Sequence, residues 1–223
     1  MRRILLVLAA AAAVVVAGAE SVLRQVTDVP TAVSSGVSDA DALFCDSWRL
    51  SVETANAGPW RTVPARCGAS VRAYMEGERY ASDSAVAAAE SLAFAAQAFA
   101  SGVGGAMPAW VFDVDETLLS NAPYYAVSGW GLQEFNETSF DAWRNATEEN
   151  LLFAGYHSWE KLILRQISDI GKTAVQYKSE RRAAMEAEGF KILGNSGDQW
   201  SDLIGLPMAT RSFKLPNPMY FIS

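Results

Sequence analysis

An α/β fold, with strands and helices in alternation and chemistry carried at the end of a parallel strand, is what this sequence predicts, and three observations lead there. The first is Trp110-Val-Phe112, an apolar β-favouring run that delivers Asp113 and Asp115 at a spacing of two. In a strand that spacing puts both carboxylates on one side, and the C-terminal edge of an open α/β sheet is where ligands bind. The second is the order of elements after residue 160. Lys161-Leu-Ile-Leu-Arg165 reads as a short buried strand, the charged stretch from Lys172 to Glu188 as an exposed helix ending at Gly189, and Phe190-Lys-Ile-Leu-Gly194 as the next strand. The third is size: 223 residues, half of them hydrophobic and seven of them Trp, suffice for one globular domain with a sizeable core. No internal repeat is visible.

The chain starts with Met1-Arg2-Arg3, the apolar run Ile4 to Val16 and then Ala17-Gly18-Ala19, which predicts a secretory leader over residues 1–19. The run is too short for a membrane anchor, so no membrane association is expected after cleavage. Losing Arg2 and Arg3 leaves 16 basic residues against 25 acidic, a balance of −9, which argues against a nucleic-acid partner. Cys45 and Cys67 then sit in an oxidising compartment, where an even count favours a disulfide; two buried thiols too far apart to join are the alternative. With no paired Cys spacing and a single histidine, His157, read as a surface or packing residue, no Cys/His metal site is expected. Asn136-Glu-Thr138 and Asn145-Ala-Thr147 are candidate glycosylation sites.

Residues 20–43 show little apolar periodicity and read as a loosely ordered segment ahead of one domain, 44–223. Trp48, Leu50 and Val52 alternate before a Gly58-Pro59 turn and suggest an extended brace or lid on the main domain. Cys67 to Met75 and Ser82 to Ala100 read as helices, the second capped by Ser82, Asp83 or Ser84 and packing through Val86, Leu92, Phe94 and Phe99. Gly102, Gly104 and Gly105 precede a strand instead of linking strand to helix, which excludes a phosphate loop. After Asn121, Tyr124, Tyr125, Trp130, Phe135, Phe140 and Trp143 serve equally well as core or as a roof over the site. Ala146 to Ala154 has helical spacing, and the last predicted strand delivers Asn195-Ser-Gly-Asp198-Gln-Trp-Ser-Asp202, a second acidic pair spaced by four.

A bare Asp-x-Asp also occurs as the metal motif of glycosyltransferases, and the longer strings discriminate. Asp113-Val-Asp115-Glu-Thr117-Leu-Leu-Ser-Asn121, Tyr177-Lys178-Ser179 and Gly197-Asp198-Gln-Trp-Ser-Asp202 together resemble the plant-type class B acid phosphatases and vegetative storage proteins of the haloacid dehalogenase superfamily. The resemblance implies a Rossmann-like α/β domain with a small cap, about residues 121–143, and an N-terminal helical extension. It implies hydrolysis of small phosphomonoesters with Mg²⁺ in a secreted or vacuolar compartment, with self-association left open. Asp113 would be the nucleophile, Asp115 the acid and base, and Lys178 the balancing charge, with Lys172 in reserve. Asp113, the main-chain carbonyl of Asp115, and Asp198 would hold the metal, supported by Thr117 and Asp202. The family also carries a second motif, a hydrophobic strand closing on Thr-Gly-Arg beside the catalytic strand. Here the pattern passes from Trp143 to Arg144 without it, which predicts a missing core strand, an open sheet edge and impaired turnover. The alternative function is a storage protein.

Overall fold

The computed structural model describes residues 4–9, 39–102, 106–136, 138–140 and 147–222, with backbone alone for 4–9 and 39. A five-stranded sheet runs through its centre in the order β3-β1-β2-β4-β5. These strands are β1 (Ile4–Ala9), β2 (Met107–Phe112), β3 (Lys161–Leu164), β4 (Phe190–Gly197) and β5 (Arg211–Lys214). The described helices are α1 (Asp39–Glu53), α2 (Gly68–Met75), α3 (Glu78–Ser101), α4 (Ala122–Val127), α5 (Thr147–Phe153), α6 (Ala174–Ala187) and α7 (Trp200–Leu203).

β2 pairs in parallel with β4, and β4 with β5, which sets their C-terminal ends side by side. Strand alternation then sorts β2 between two layers. Ala109 and Val111 join Met185 of α6, Phe190 and Ile192 in one buried cluster. Trp110 instead stacks on Phe213 of β5 and meets Phe94 of α3. The register between β2 and β4 slips at Ala109/Trp110, where the indole lies over Gly194 in the space a side chain there would need. A second cluster joins Cys45 and Cys67 to Val71, Tyr74, Tyr124, Tyr125, Trp130, Phe140, Met219 and Tyr220. Cys45 and Cys67 form a disulfide with their Cα atoms 5.3 Å apart.

Several elements depart from the sequence expectations. The alternation of Trp48, Leu50 and Val52 is not a strand: α1 is helical throughout, because Cys45, Trp48 and Val52 fall at i, i+3 and i+7 on its inner face while Leu50 is exposed. α3 starts at Glu78, four residues before the expected cap, since Asp83 is used instead to accept the Tyr74 hydroxyl at 2.7 Å. Val86 and Leu92 of that helix are exposed, whereas Phe94 packs against Trp110 and Phe213 and Phe99 is half-buried. α6 is not simply an exposed helix, as Ala174, Tyr177, Lys178, Arg182 and Met185 form a buried stripe beneath its charged face.

The edge of β2 expected to lie open is paired. β1 runs antiparallel to β2, with Leu6 opposite Phe112 and Ala9 opposite Ala109, and antiparallel to β3, with Ile4 opposite Leu164. An unpaired edge at this depth leaves a row of backbone donors and acceptors unsatisfied. The Ile-Leu-Leu-Val-Leu-Ala run has the composition to fill it. Residues 10–38, Gly104, Gly105, Trp143 and Asn145 lie outside the described residues, and with them most of the segment expected to be loosely ordered and one glycosylation site. Among the described residues no helix is long and apolar enough to cross a membrane.

Candidate active site

β2 ends at Phe112, one residue before the first aspartate, so Asp113 and Asp115 stand in the turn beyond the strand instead of on it. The Asp113 amide donates to the Ser196 carbonyl of β4 at 2.9 Å, and Asp115 makes an isolated bridge with Leu119. α6 lies on the Val111 side of the sheet, and from it the fully buried Lys178 reaches up to the same point. Its Nζ donates to Asp113 Oδ1 at 2.6 Å and to Asp202 Oδ1. Lys172, the reserve candidate, is engaged elsewhere: it pairs with Asp169 at 2.9 Å and with Glu180.

Asp202 is held by the short helix that carries it. Its Oδ2 accepts the Gln199 amide at 2.8 Å, and its carboxyl occupies the space a Cβ on Gly197 would take. Asp198, on the loop between β4 and α7, receives two amide donors on Oδ2, from Gln199 Nε2 at 2.8 Å and Asn217 Nδ2 at 2.6 Å. Its Oδ1 is buried with no hydrogen-bond partner. Thr117, the expected support, also has a buried hydroxyl without a partner.

Asp113, Asp198 and Asp202 each place a carboxylate oxygen within 4.8 Å of the others'. Burial, then the charge of Asp202, pushes the Asp113 carboxyl up to about 7 against the opposing effect of Lys178. Burial and the charges of Asp202 and Asp113 push Asp198 well above the usual carboxylate range. Lys178 supplies a single positive charge to this group. An excess of buried negative charge, an all-oxygen donor set and an orphaned Asp198 Oδ1 fit a hard divalent cation.

The aspartates, Lys178 and Gln199 line a small cavity of about 30 Å³ together with Phe135, Phe140, Tyr220 and Ile222. The aromatic segment thus serves both expected roles. Tyr124, Tyr125 and Trp130 are core, whereas Phe140 is buried in that core and also faces the site with Phe135. A larger cavity of about 220 Å³ shares Asp198, Gln199, Tyr220 and Ile222 but does not reach Asp113.

The profile of the HAD superfamily, subfamily IIIB (acid phosphatase), matches residues 31–146 and 142–223. The chain belongs to this acid phosphatase family. Among its relatives, Acid phosphatase 1 of Solanum lycopersicum is 44% identical over 218 residues, covering 82% of this chain and 85% of the relative. Stem 28 kDa glycoprotein of Glycine max is 36% identical over 216 residues (80% and 84%), and Vegetative storage protein 2 of Arabidopsis thaliana is 32% identical over 219 (80% of each). The two family matches meet at residues 142–146. Since 82% of 223 residues is about 183, against 218 compared with the tomato protein, about 35 residues of that relative have no counterpart here.

For this HAD-family chain, sequence reasoning passed over the residues that brace the site. In the sequence Glu116 reads as no more than a spacer in the motif. In the structure it is buried with φ 55°, in the left-handed region that side chains rarely occupy. It accepts the Asn121 amide at 2.5 Å and the Tyr220 hydroxyl at 2.6 Å. Asn121 in turn donates to Asp115 Oδ1 at 3.1 Å. β5 and the segment after it, with Asn217 and Tyr220, carry no functional signal in the sequence beyond Asn217-Pro218, a turn marker.

Proposed function

We propose that the chain is a Mg²⁺-dependent acid phosphatase acting on small phosphomonoesters through an aspartyl-phosphate, with turnover reduced by the missing second motif. The observation that carries this reading is the convergence of Asp113, Lys178, Asp198 and Asp202 at the C-terminal ends of β2 and β4, with Asp198 Oδ1 unpaired. Asp113 attacks phosphorus and the alcohol leaves with a proton from Asp115; Asp115 then takes a proton from the water that hydrolyses the acyl phosphate. Lys178, 2.6 Å from Asp113 Oδ1, orients the nucleophile and neutralises charge that gathers as phosphate binds. Asp113, the Asp115 carbonyl and Asp198 would hold Mg²⁺, which when bound would supply electrostatic stabilisation to the phosphoryl oxygens. The cavity of about 30 Å³ has room for a water or an ion beside the aspartates.

The reading extends to the compartment. The Cys45–Cys67 disulfide and a sequon at the exposed Asn136 support a secreted or vacuolar glycoprotein; a leader over residues 1–19 fits the same compartment, and its cleavage would take β1 out of the mature sheet. The second reading, a storage protein, is favoured by the same gap: a missing preorganised donor costs about 10²–10³ in rate. The test is hydrolysis of an aryl phosphate at mildly acid pH, with and without Mg²⁺, by the full chain and by Asp113→Asn. Metal-dependent turnover that disappears in the variant supports the phosphatase. Turnover absent from both supports storage.

A further inference from the structure

We infer that Asn217 is a positioning residue for the metal ligand Asp198, and that the N-terminal extension, through Glu53 at the end of α1, holds it in place. The inference rests on the metal-dependent reading of the site above and concerns residues that reading does not use. Asp198 has two carboxylate oxygens, one of them unpaired and the other capped by two amides. The Asn217 bond is the shorter, at 2.6 Å against 2.8 Å for Gln199, and all three residues are buried. Two donors on Oδ2 fix the rotation of the carboxylate and leave Oδ1 as the atom offered to a cation. Such outer contacts set ligand orientation, and their loss typically costs about 10–100-fold in metal affinity.

Asn217 is itself pinned from both sides. Its Oδ1 accepts the Met219 amide at 2.9 Å, which turns the Nδ2 towards Asp198. Its own amide donates to Glu53 Oε1 at 2.9 Å, while Glu53 Oε2 takes Lys214 Nζ at 2.7 Å. The carbonyl of Glu53 accepts Trp200 Nε1 at 3.2 Å, so α1 also touches the helix that carries Asp202. Glu53 and Asn217 are 164 residues apart in sequence. The disulfide between Cys45 and Cys67 ties α1 to the turn that leads into α2 and so helps to fix the helix that presents Glu53. The extension therefore does more than cover the core: it completes the outer shell of the acidic cluster.

The experiment measures Mg²⁺ binding to the metal-free full chain by calorimetry and by the Mg²⁺-induced rise in Tm, alongside Mg²⁺ titrations of activity. Asn217→Ala is expected to weaken Mg²⁺ binding about 10–100-fold, with activity recovered mostly at saturating Mg²⁺. Glu53→Gln keeps a carbonyl acceptor for the Asn217 amide and loses the Lys214 pair. It is expected to shift Mg²⁺ binding severalfold in the same direction, and it carries the test if Asn217→Ala does not fold. Unchanged Mg²⁺ affinity in a folded Asn217→Ala overturns the positioning role, and unchanged affinity in Glu53→Gln overturns the part given to Glu53 and with it the inference as stated; either result leaves the phosphatase reading standing. A wild-type chain that binds no Mg²⁺ overturns both.

Discussion

Replacing Lys178 with methionine keeps most of the side-chain volume and removes the ammonium that contacts both Asp113 and Asp202. The size of the effect follows from Asp113. In the metal-free chain its pKa is raised from 3.8 to about 7 even with Lys178 present. An acid with a raised folded pKa contributes stability fully below its unfolded pKa and loses that contribution as pH climbs through the folded value. At about 1.36 kcal/mol per pKa unit, ionised Asp113 then costs the metal-free fold about 4 kcal/mol by pH 8. Without Lys178 the burial and the Asp202 charge act unopposed. Breaking a buried pair from one side costs about 3–5 kcal/mol, and that is the loss expected for Lys178→Met at pH 8. At pH 5 Asp113 carries a proton, so its share of the loss falls to that of an unsatisfied buried polar group, about 1–3 kcal/mol; the broken Asp202 contact still adds to it, and the total is smaller than at pH 8. Urea denaturation of wild type and variant in chelator, at both pH values, reads the difference, with near-UV circular dichroism to confirm the fold. An equal loss at pH 5 and pH 8 would refute the reasoning, because the carboxylates would then not be responding to the missing charge.

Three further outcomes follow from the same geometry. Gly197→Ala puts a methyl where the Asp202 carboxyl lies; the displaced carboxylate releases Lys178, and activity should fall at least about 10-fold with a destabilisation of about 1–3 kcal/mol, read by kinetics and denaturation. Tyr220→Phe takes one donor from Glu116, whose carboxyl burial pushes up to about 8, and should cost about 1 kcal/mol in the same denaturation assay. Residues 20–223 lack β1 and expose the edges of β2 and β3; the truncated chain should be less stable than the full one and should associate by light scattering, since open edges pair with other chains. Equal stability and a monomeric truncated chain would show that β1 contributes nothing to the sheet.

The residues legible in the sequence were those whose chemistry is fixed by short local strings. Asp113 follows an apolar strand, and Asp198 and Asp202 sit one helical turn apart on a loop and short helix; spacing places each pair locally, and it is the resemblance of both strings to the acid phosphatase family that implies their convergence. Lys178 was harder, since a lysine in a charged helix looks solvated. What decides it is that Tyr177, Lys178, Arg182 and Met185 share one buried stripe, which the charges on the opposite face obscure. Glu53, Asn217 and Tyr220 were not legible at all. Their partners lie 164, 19 and 104 residues away, and no local periodicity encodes a contact of that span. The misread α1 has the same origin: a stretch with Trp48, Leu50 and Val52 satisfies a two-residue period and a helical one, and packing against the disulfide-linked α2 decides between them.

The internal gap and the pairing of β1 are one packing problem with two separate parts. A strand beside β2 supplies backbone partners, and a strand of any hydrophobic sequence can do that; Ile4–Ala9 pairs with β2 and β3 on both of its edges. Phosphate orientation needs more, a hydroxyl and an amide at the strand's C-terminal end, next to Asp113. β1 runs antiparallel, so it brings its N-terminal end to the Phe112 end of β2, and its six residues carry no hydroxyl. The sheet is therefore restored without the chemistry. Stability and turnover should respond independently: deleting residues 1–19 should alter the first, whereas the full chain, with its β1 in place, should still turn over below the level of a relative that carries the second motif.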